Sequence, residues 1–214
     1  MPALWEPTQF WSGDDVYIVG GGPSLNGFDF SQLHDKNVIG CNTAALRLGF
    51  EVCDICLFVD VTWFLDNFNR LSKFQGLVVT NCQSMLFRNE PWLKVMEREE
   101  DGLHRNALGF GGNSGATALN LACILGAKRI FLLGIDCVST KTDHHWHKDT
   151  RQVPQPGLYD KFKNGFGRMC LDLPKVFPGT EVYNLNPASS LRCFPFMAVS
   201  TAMQSNRLGS QRIA

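Results

Sequence analysis

Apolar residues along this chain come in short runs that stop at glycine or at a polar side chain. Runs at 16–19, 37–41, 55–59, 76–80, 130–133 and 181–184 are rich in Val, Ile, Leu and Phe and are bounded by turn-forming residues. Runs this short predict buried strands. Between them the apolar spacing turns helical. Residues 43–48, 63–71, 91–99, 116–125 and 159–173 predict helices, and Gly49 and Gly126 stand just past two of them, where a residue tolerant of positive φ closes the last turn. Residues 29–33 predict one helical turn, and 187–191 the opening of a terminal helical segment. Residues 1–14, with Trp5, Phe10 and Trp11, predict an arm laid over the domain. The polar stretch 138–157 holds three histidines and two prolines and predicts a long loop of the kind that covers sites. From 204 the chain turns to Ser, Arg, Gly and Gln and predicts a frayed tail.

Strand, loop and helix alternating this regularly predict an α/β protein. The expected form is a Rossmann-like, doubly wound, mainly parallel sheet with helices on both faces, in one domain spanning 1–214. There is no internal repeat. Ligands in such folds sit beyond the carboxyl ends of the strands. The residues expected there are Gly20, Gly21, Gly22, Pro23 and Ser24 after the first strand, Asn42 after the second, Asp60 after the third and Asn81 after the fourth. Asp136 follows the fifth strand, and Asn113, Ser114 and Gly115 start the helix after a second glycine-rich bend, Gly109-Phe-Gly-Gly-Asn-Ser-Gly115.

The first bend, Val19-Gly-Gly-Gly-Pro-Ser24, lacks both the dinucleotide glycine spacing and a Walker lysine. It reads either as a tight structural turn or as a cradle whose main-chain N–H groups accept phosphate. Asn42 and Asn81 carry amides able to pair with a base or ribose. Asp60 and Asp136 are the carboxylates best suited to Mg2+ or Mn2+, with helix capping the competing reading for Asp60. In Asp143-His-His-Trp-His-Lys-Asp149, His145 and His147 have metal-ligand spacing, but no further ligand completes a zinc set. A solvated loop and a lid supplying one acid–base histidine, His147, are the other readings. Lys141, Lys148, Arg151, Tyr159, Lys161 and Lys163 would add positive charge or hydrogen bonds toward a phosphate.

Composition narrows the function classes. Apolar residues make up 44% of the 214 and charged residues 19%, with a formal net charge of zero. That excludes a largely disordered chain and argues against nucleic acid as the main partner. No apolar run is long enough to span a bilayer and the start of the chain is not an export signal, so a cytoplasmic protein is expected. The eight cysteines include Cys53 and Cys56 in C-x-x-C spacing. Because they sit three apart on a predicted strand, their thiols are expected on opposite faces, as reduced core residues.

Three motifs carry a family resemblance: Val19-Gly-Gly-Gly-Pro-Ser-Leu25, Gly40-Cys-Asn-Thr43 and the run from Ser114 to Gly134-Ile-Asp136. With weaker support at Asn184-Leu-Asn-Pro-Ala-Ser-Ser190, the chain resembles the bacterial lipooligosaccharide sialyltransferases, which use CMP-sialic acid. It also resembles the MptE-like family, which includes archaeal 6-hydroxymethylpterin diphosphokinases. The first resemblance implies that the Gly-Pro-Ser bend and Asn42 hold CMP and that Ser114 and Gly115 face the nucleotide. It further implies a histidine base and phosphate-binding tyrosines beyond the Gly-Ile-Asp strand, where this chain has His147 and Tyr159. The sialyltransferases carry asparagine where this chain has Asp60. The MptE-like group carries aspartate both there and at the Asp136 position, implying a metal-assisted diphosphate transfer. The expected function is a transferase acting on a nucleotide or nucleotide-sugar donor. The alternative is a non-catalytic nucleotide-binding or interaction module, for example a phage accessory protein. The sequence leaves oligomeric state open.

Overall fold

The β-branched and aromatic runs do become strands, and their order decides where a ligand can sit. The computed structural model describes residues 3–138, 145–148 and 155–204. In chain order the elements are β1 (Asp15–Val19), β2 (Asn37–Cys41), α1 (Thr43–Leu48), β3 (Ile55–Phe58), α2 (Val61–Leu71), β4 (Leu77–Thr80), β5 (Leu93–Val95), β6 (Arg98–Glu99), β7 (Leu108–Gly109), α3 (Ser114–Ile124), β8 (Arg129–Leu133), α4 (Leu158–Val176), β9 (Glu181–Asn184) and α5 (Val199–Ala202). Seven strands form one sheet in the order β5-β4-β3-β2-β1-β8-β9, every pairing parallel. β6 and β7 pair separately. The chain winds outward from β1 to β5, then returns to lay β8 against the other side of β1. That reversal makes β1 and β8 the switch point of a doubly wound sheet, where the connections after adjacent strands leave in opposite directions and open a crevice.

Two apolar clusters, one on each face, hold the sheet. Ile18, Ile39, Leu57, Val79 and Leu132 point toward α3, while Tyr17, Val19, Val38, Phe58 and Val78 point toward α1 and α2. All eleven residues of α3 are buried, so this helix has no polar face: it is covered by the sheet on one side and by Phe166 and Met169 of α4 on the other. α1 lies directly on β2 because position 40 is glycine. A Cβ there would stand 2.6 Å from the Ala45 Cα.

The structure departs from the sequence reading in three places. Residues 91–99 are not a helix. Leu93 and Val95 are buried on either side of Lys94 in β5, an alternation too short to stand out beside Pro91 and the flanking acids. The arm covers this edge through a Trp5 N–H bond to the Val95 carbonyl at 2.7 Å. Residues 187–191 form a hydrogen-bonded turn, and helix returns only at α5. Cys53 and Cys56 share one apolar cluster, because Cys53 precedes β3 and strand alternation does not reach it. Both thiols are pushed well up, chiefly by burial, and Cys53 Sγ donates to the Ile55 carbonyl at 3.1 Å. All eight cysteines are free thiols. Among the described residues no helix is long and apolar enough to cross a membrane. Most of the 138–157 loop and all of the 204–214 tail except residue 204 lie outside the described residues, Lys141 and Arg151 among them.

Candidate functional site

The three glycines after β1 are required by what crowds them. A Cβ on Gly20 would sit 2.6 Å from the Gly134 carbonyl oxygen and from Ile135 Cδ1. One on Gly21 would run into His145 Nδ1, and one on Gly22 into the Asp136 carboxylate. Their N–H groups are largely spent as well. Gly20 donates to Leu133 and Gly22 to Gly134, both at 2.8 Å, extending the β1–β8 ladder past the strand ends. Ser24 N–H goes to Asp136 Oδ2 at 2.8 Å. With Pro23 lacking a donor, Gly21 alone in the bend keeps an N–H without a partner among the described residues. The bend is therefore chiefly a close-packing device with one donor left over, nearer the tight-turn reading than the cradle reading of its sequence.

Asp136 fastens this arrangement. It is 3% exposed, and besides Ser24 N–H it accepts Ser24 Oγ–H at 2.6 Å and Asn186 Nδ2–H at 2.8 Å. Its own carbonyl accepts Ser190 N–H at 2.9 Å, and Ser189 Oγ bonds the Ile135 carbonyl at 2.8 Å. Three connections, those after β1, β8 and β9, are tied at one carboxylate. Asn186, Ser189 and Ser190 were not among the expected site residues. Their signal was the Asx- and Ser-turn composition of Asn184-Leu-Asn-Pro-Ala-Ser-Ser190.

The second wall is built on α3. Asn113 caps that helix, accepting Ala116 N–H at 2.9 Å and donating to the Gly111 carbonyl at 3.1 Å. Its amide is thereby committed to local structure. Thr117 N–H returns to the Asn113 carbonyl, which leaves the Ser114 and Gly115 N–H groups as the helix's unspent donors among the described residues. Ser114 Oγ donates to Asn42 Oδ1 at 3.1 Å, joining the start of α3 to the end of β2. Asn42 has φ 52° and ψ −127°, a backbone that glycine adopts more readily than asparagine. Cys137 at φ 51° and Lys148 at φ 56° are also left-handed. Such strain costs about 1 kcal/mol or more per residue and gathers at functional sites.

The covering loop contributes residues 145–148. Trp146 grips the bend, its main-chain N–H on the Gly21 carbonyl at 3.0 Å and its indole N–H on the Gly20 carbonyl at 2.9 Å, with its ring against Phe30. His145 Nδ1 lies 3.3 Å from the Gly21 carbonyl. His147 stacks on His145 at 5.1 Å between centroids and 6° between planes. Tyr159, in the first turn of α4, has its hydroxyl pKa raised, chiefly by burial and then by Cys137 and Asp136. A tyrosine hydroxyl is protonated at neutral pH and can donate to an oxyanion.

The remaining expected residues fall elsewhere. Asp60 is exposed and caps α2, accepting Trp63 N–H at 2.8 Å. Two strands lie between β3 and β8, a separation of about 14 Å. Ligand atoms on one Mg2+ stand no more than about 4 Å apart. Asp60 and Asp136 thus do not fit a shared metal, and the Asp136 oxygens already accept three hydrogen bonds. Among the described residues no group of three His, Cys, Asp or Glu side chains is placed to hold a metal. Asn81 is fully buried, and neither amide atom has a hydrogen-bond partner among the described residues. By strand alternation it follows Val79 toward the α3 face. Lys163 pairs with Asp160 at 2.8 Å.

No protein-family model and no curated protein sequence matches this chain. Solved structures do match its fold. Sialyltransferase CstII from Campylobacter jejuni, in complex with the substrate analogue CMP-3FNeuAc, superposes with a TM-score of 0.52 at 19% identity, covering 86% of both chains. The α-2,3-sialyltransferase Cst-I from the same organism gives 0.56 at 15% identity over 86% of this chain and 80% of its own. The MAf glycosyltransferase from Magnetospirillum magneticum AMB-1 gives 0.64 at 17% identity over 98% of this chain and 36% of its own. The chain thus has the α/β fold of these glycosyltransferases.

Two predictions follow from the site's hydrogen-bond accounting. Asp136→Ala strands the Ser24 and Asn186 donors and should cost about 2–4 kcal/mol in urea unfolding; a loss below about 0.5 kcal/mol would contradict the fastening role. Asn81→Leu removes a buried amide that has no partner among the described residues and should raise stability by about 1 kcal/mol. A loss of that size instead would mean that the amide is satisfied.

Proposed function

We propose that this chain is a glycosyltransferase that takes its sugar from a CMP-activated donor bound beyond the ends of β1, β2 and β8. The observation that carries the reading is the Asn42–Ser114 hydrogen bond at the start of α3. It fixes a side-chain amide, through a strained backbone, beside two unspent helix N-terminal donors at the switch-point crevice. An amide suits a pyrimidine or ribose, and donors at a helix N-terminus suit phosphate. The glycosyltransferase folds it matches, one of them described in complex with a CMP-sugar analogue, support the same reading.

In the transfer, His147 takes the proton from an acceptor hydroxyl while that oxygen forms a bond to the anomeric carbon. The bond from that carbon to the CMP phosphate oxygen breaks, and its electron pair leaves with CMP. The N–H groups of Gly21, Ser114 and Gly115, with the Tyr159 hydroxyl, hydrogen-bond the departing phosphate. No step passes through a metal. Diphosphate transfer on Asp60 and Asp136, the activity implied by the MptE-like resemblance, is the weaker reading because those carboxylates are separated and one already accepts three hydrogen bonds.

In a thermal-shift assay, CMP at 100 times its Kd should stabilise the protein by about 2.7 kcal/mol, equally with Mg2+ and with EDTA. Asn42→Gly removes the amide and relieves the backbone, so it should keep or raise the apo Tm while weakening CMP at least ten-fold. No shift with CMP, or a shift only for ATP with Mg2+, would contradict the proposal.

A further inference from the structure

Beside the proposed donor site, a concavity of about 320 Å³ opens between α4, the 110–112 bend and the strand-like segment at 98–101. None of the donor-site residues lines it. Its α4 wall is Lys161, Asn164, Gly165 and Arg168, positions spaced to share one helix face. Gly165 is glycine because a Cβ there would run into the Gly111 carbonyl, so helix and bend meet at van der Waals distance and the concavity has a rigid floor. The opposite wall is Arg98, whose guanidinium lies 4.0 Å over the Phe110 ring. Stacking of this kind fixes a guanidinium's plane while leaving its N–H edge free to donate.

The charges are arranged unequally. Arg168 is paired with Asp101, and Arg98, Lys161 and Glu100 are the other charged residues that line the concavity. Asn164 adds an amide able to pair with hydroxyls in either direction. With the Arg168–Asp101 pair set aside, two cations, one carboxylate and one amide remain, a net positive lining that suits a hydroxyl-rich ligand carrying one negative charge. Gly111 and Gly112 in the floor run directly into Asn113 and Ser114, so the floor lies no more than about 11 Å along the chain from the proposed phosphate donors. That is the span of one or two sugar rings.

We infer that this concavity is the acceptor subsite and that it takes a saccharide bearing a carboxylate or phosphate, held between Arg98 and Lys161. The inference rests on the transferase reading for the word acceptor; the binding preference itself does not. It is tested on the full chain by saturation-transfer NMR and calorimetry, with glucuronic acid and glucose 6-phosphate against glucose, and 3′-sialyllactose against lactose. CMP binding is measured separately. At least one acidic saccharide should bind ten-fold or more tightly than its neutral parent, the carboxylate and phosphate arms telling which group is preferred. Lys161→Ala and Arg98→Ala, both on exposed side chains, should each remove most of that preference and leave CMP binding unchanged. Lys175→Ala, on the same helix outside the concavity, should leave both the preference and CMP binding unchanged. Equal binding of acidic and neutral probes would overturn the inference, as would a preference untouched by Lys161→Ala and Arg98→Ala or equally lost in Lys175→Ala. Failure of CMP to bind would instead overturn the donor reading, while the acidic preference and its loss in the two variants would still decide what this concavity holds.

Discussion

A single buried carboxylate organises the carboxyl end of this sheet. Asp136 accepts two hydrogen bonds from Ser24 and one from Asn186, tying the connections after β1, β8 and β9 to one point. Without it, the Gly-Pro-Ser bend would be held to β8 only by the extended ladder at Gly20 and Gly22. The fastening explains the local sequence on both sides. Gly22 must lack a side chain because the carboxylate occupies that space, and Ser24 must present a hydroxyl and an amide together. The chain leaves Asp136 through Cys137 at a left-handed φ, one of the strained positions around this rim.

That fastening limits what the crevice can offer a ligand. Because the bend spends its N–H groups on β8 and on Asp136, and its Gly20 and Gly21 carbonyls on Trp146, it contributes shape more than donors. The donors come from the start of α3, a helix with no exposed face whose position is set by the packed core. Asn42 at the rim is both joined to Ser114 and strained. A site assembled in this way gains its rigidity from the core.

Much of this was legible in the sequence, for identifiable reasons. Strand positions, the doubly wound class and the α3 and α4 helices followed from runs whose apolar content and bounding glycines agree. Gly126, at φ 93°, closes α3 where its place in the sequence predicts. The short edge strand β5 was hidden because three residues cannot establish an alternation against a flanking Pro91 and several acids. Gly20, Gly21 and Gly22 were recognisable as a bend, but the partner of each N–H depends on β8 lying next to β1, a pairing across more than a hundred residues. The same long-range pairing turns Asp136 from an expected metal ligand into a fastening, and strand order separates it from Asp60. The C-x-x-C pair was placed on opposite faces because strand alternation was carried back to Cys53, which precedes the strand.

The central claim is that a CMP phosphate meets the unspent N–H groups at the start of α3 and in the first glycine bend. It is tested most directly by titrating the 15N-labelled protein with CMP and following individual backbone amides. The account predicts that the Gly21, Ser114 and Gly115 amides move together, saturably and at one Kd, with Gly20 and Gly22 shifting little because their N–H groups are already bonded to β8. Saturable CMP binding that leaves Ser114 and Gly115 unmoved would contradict it.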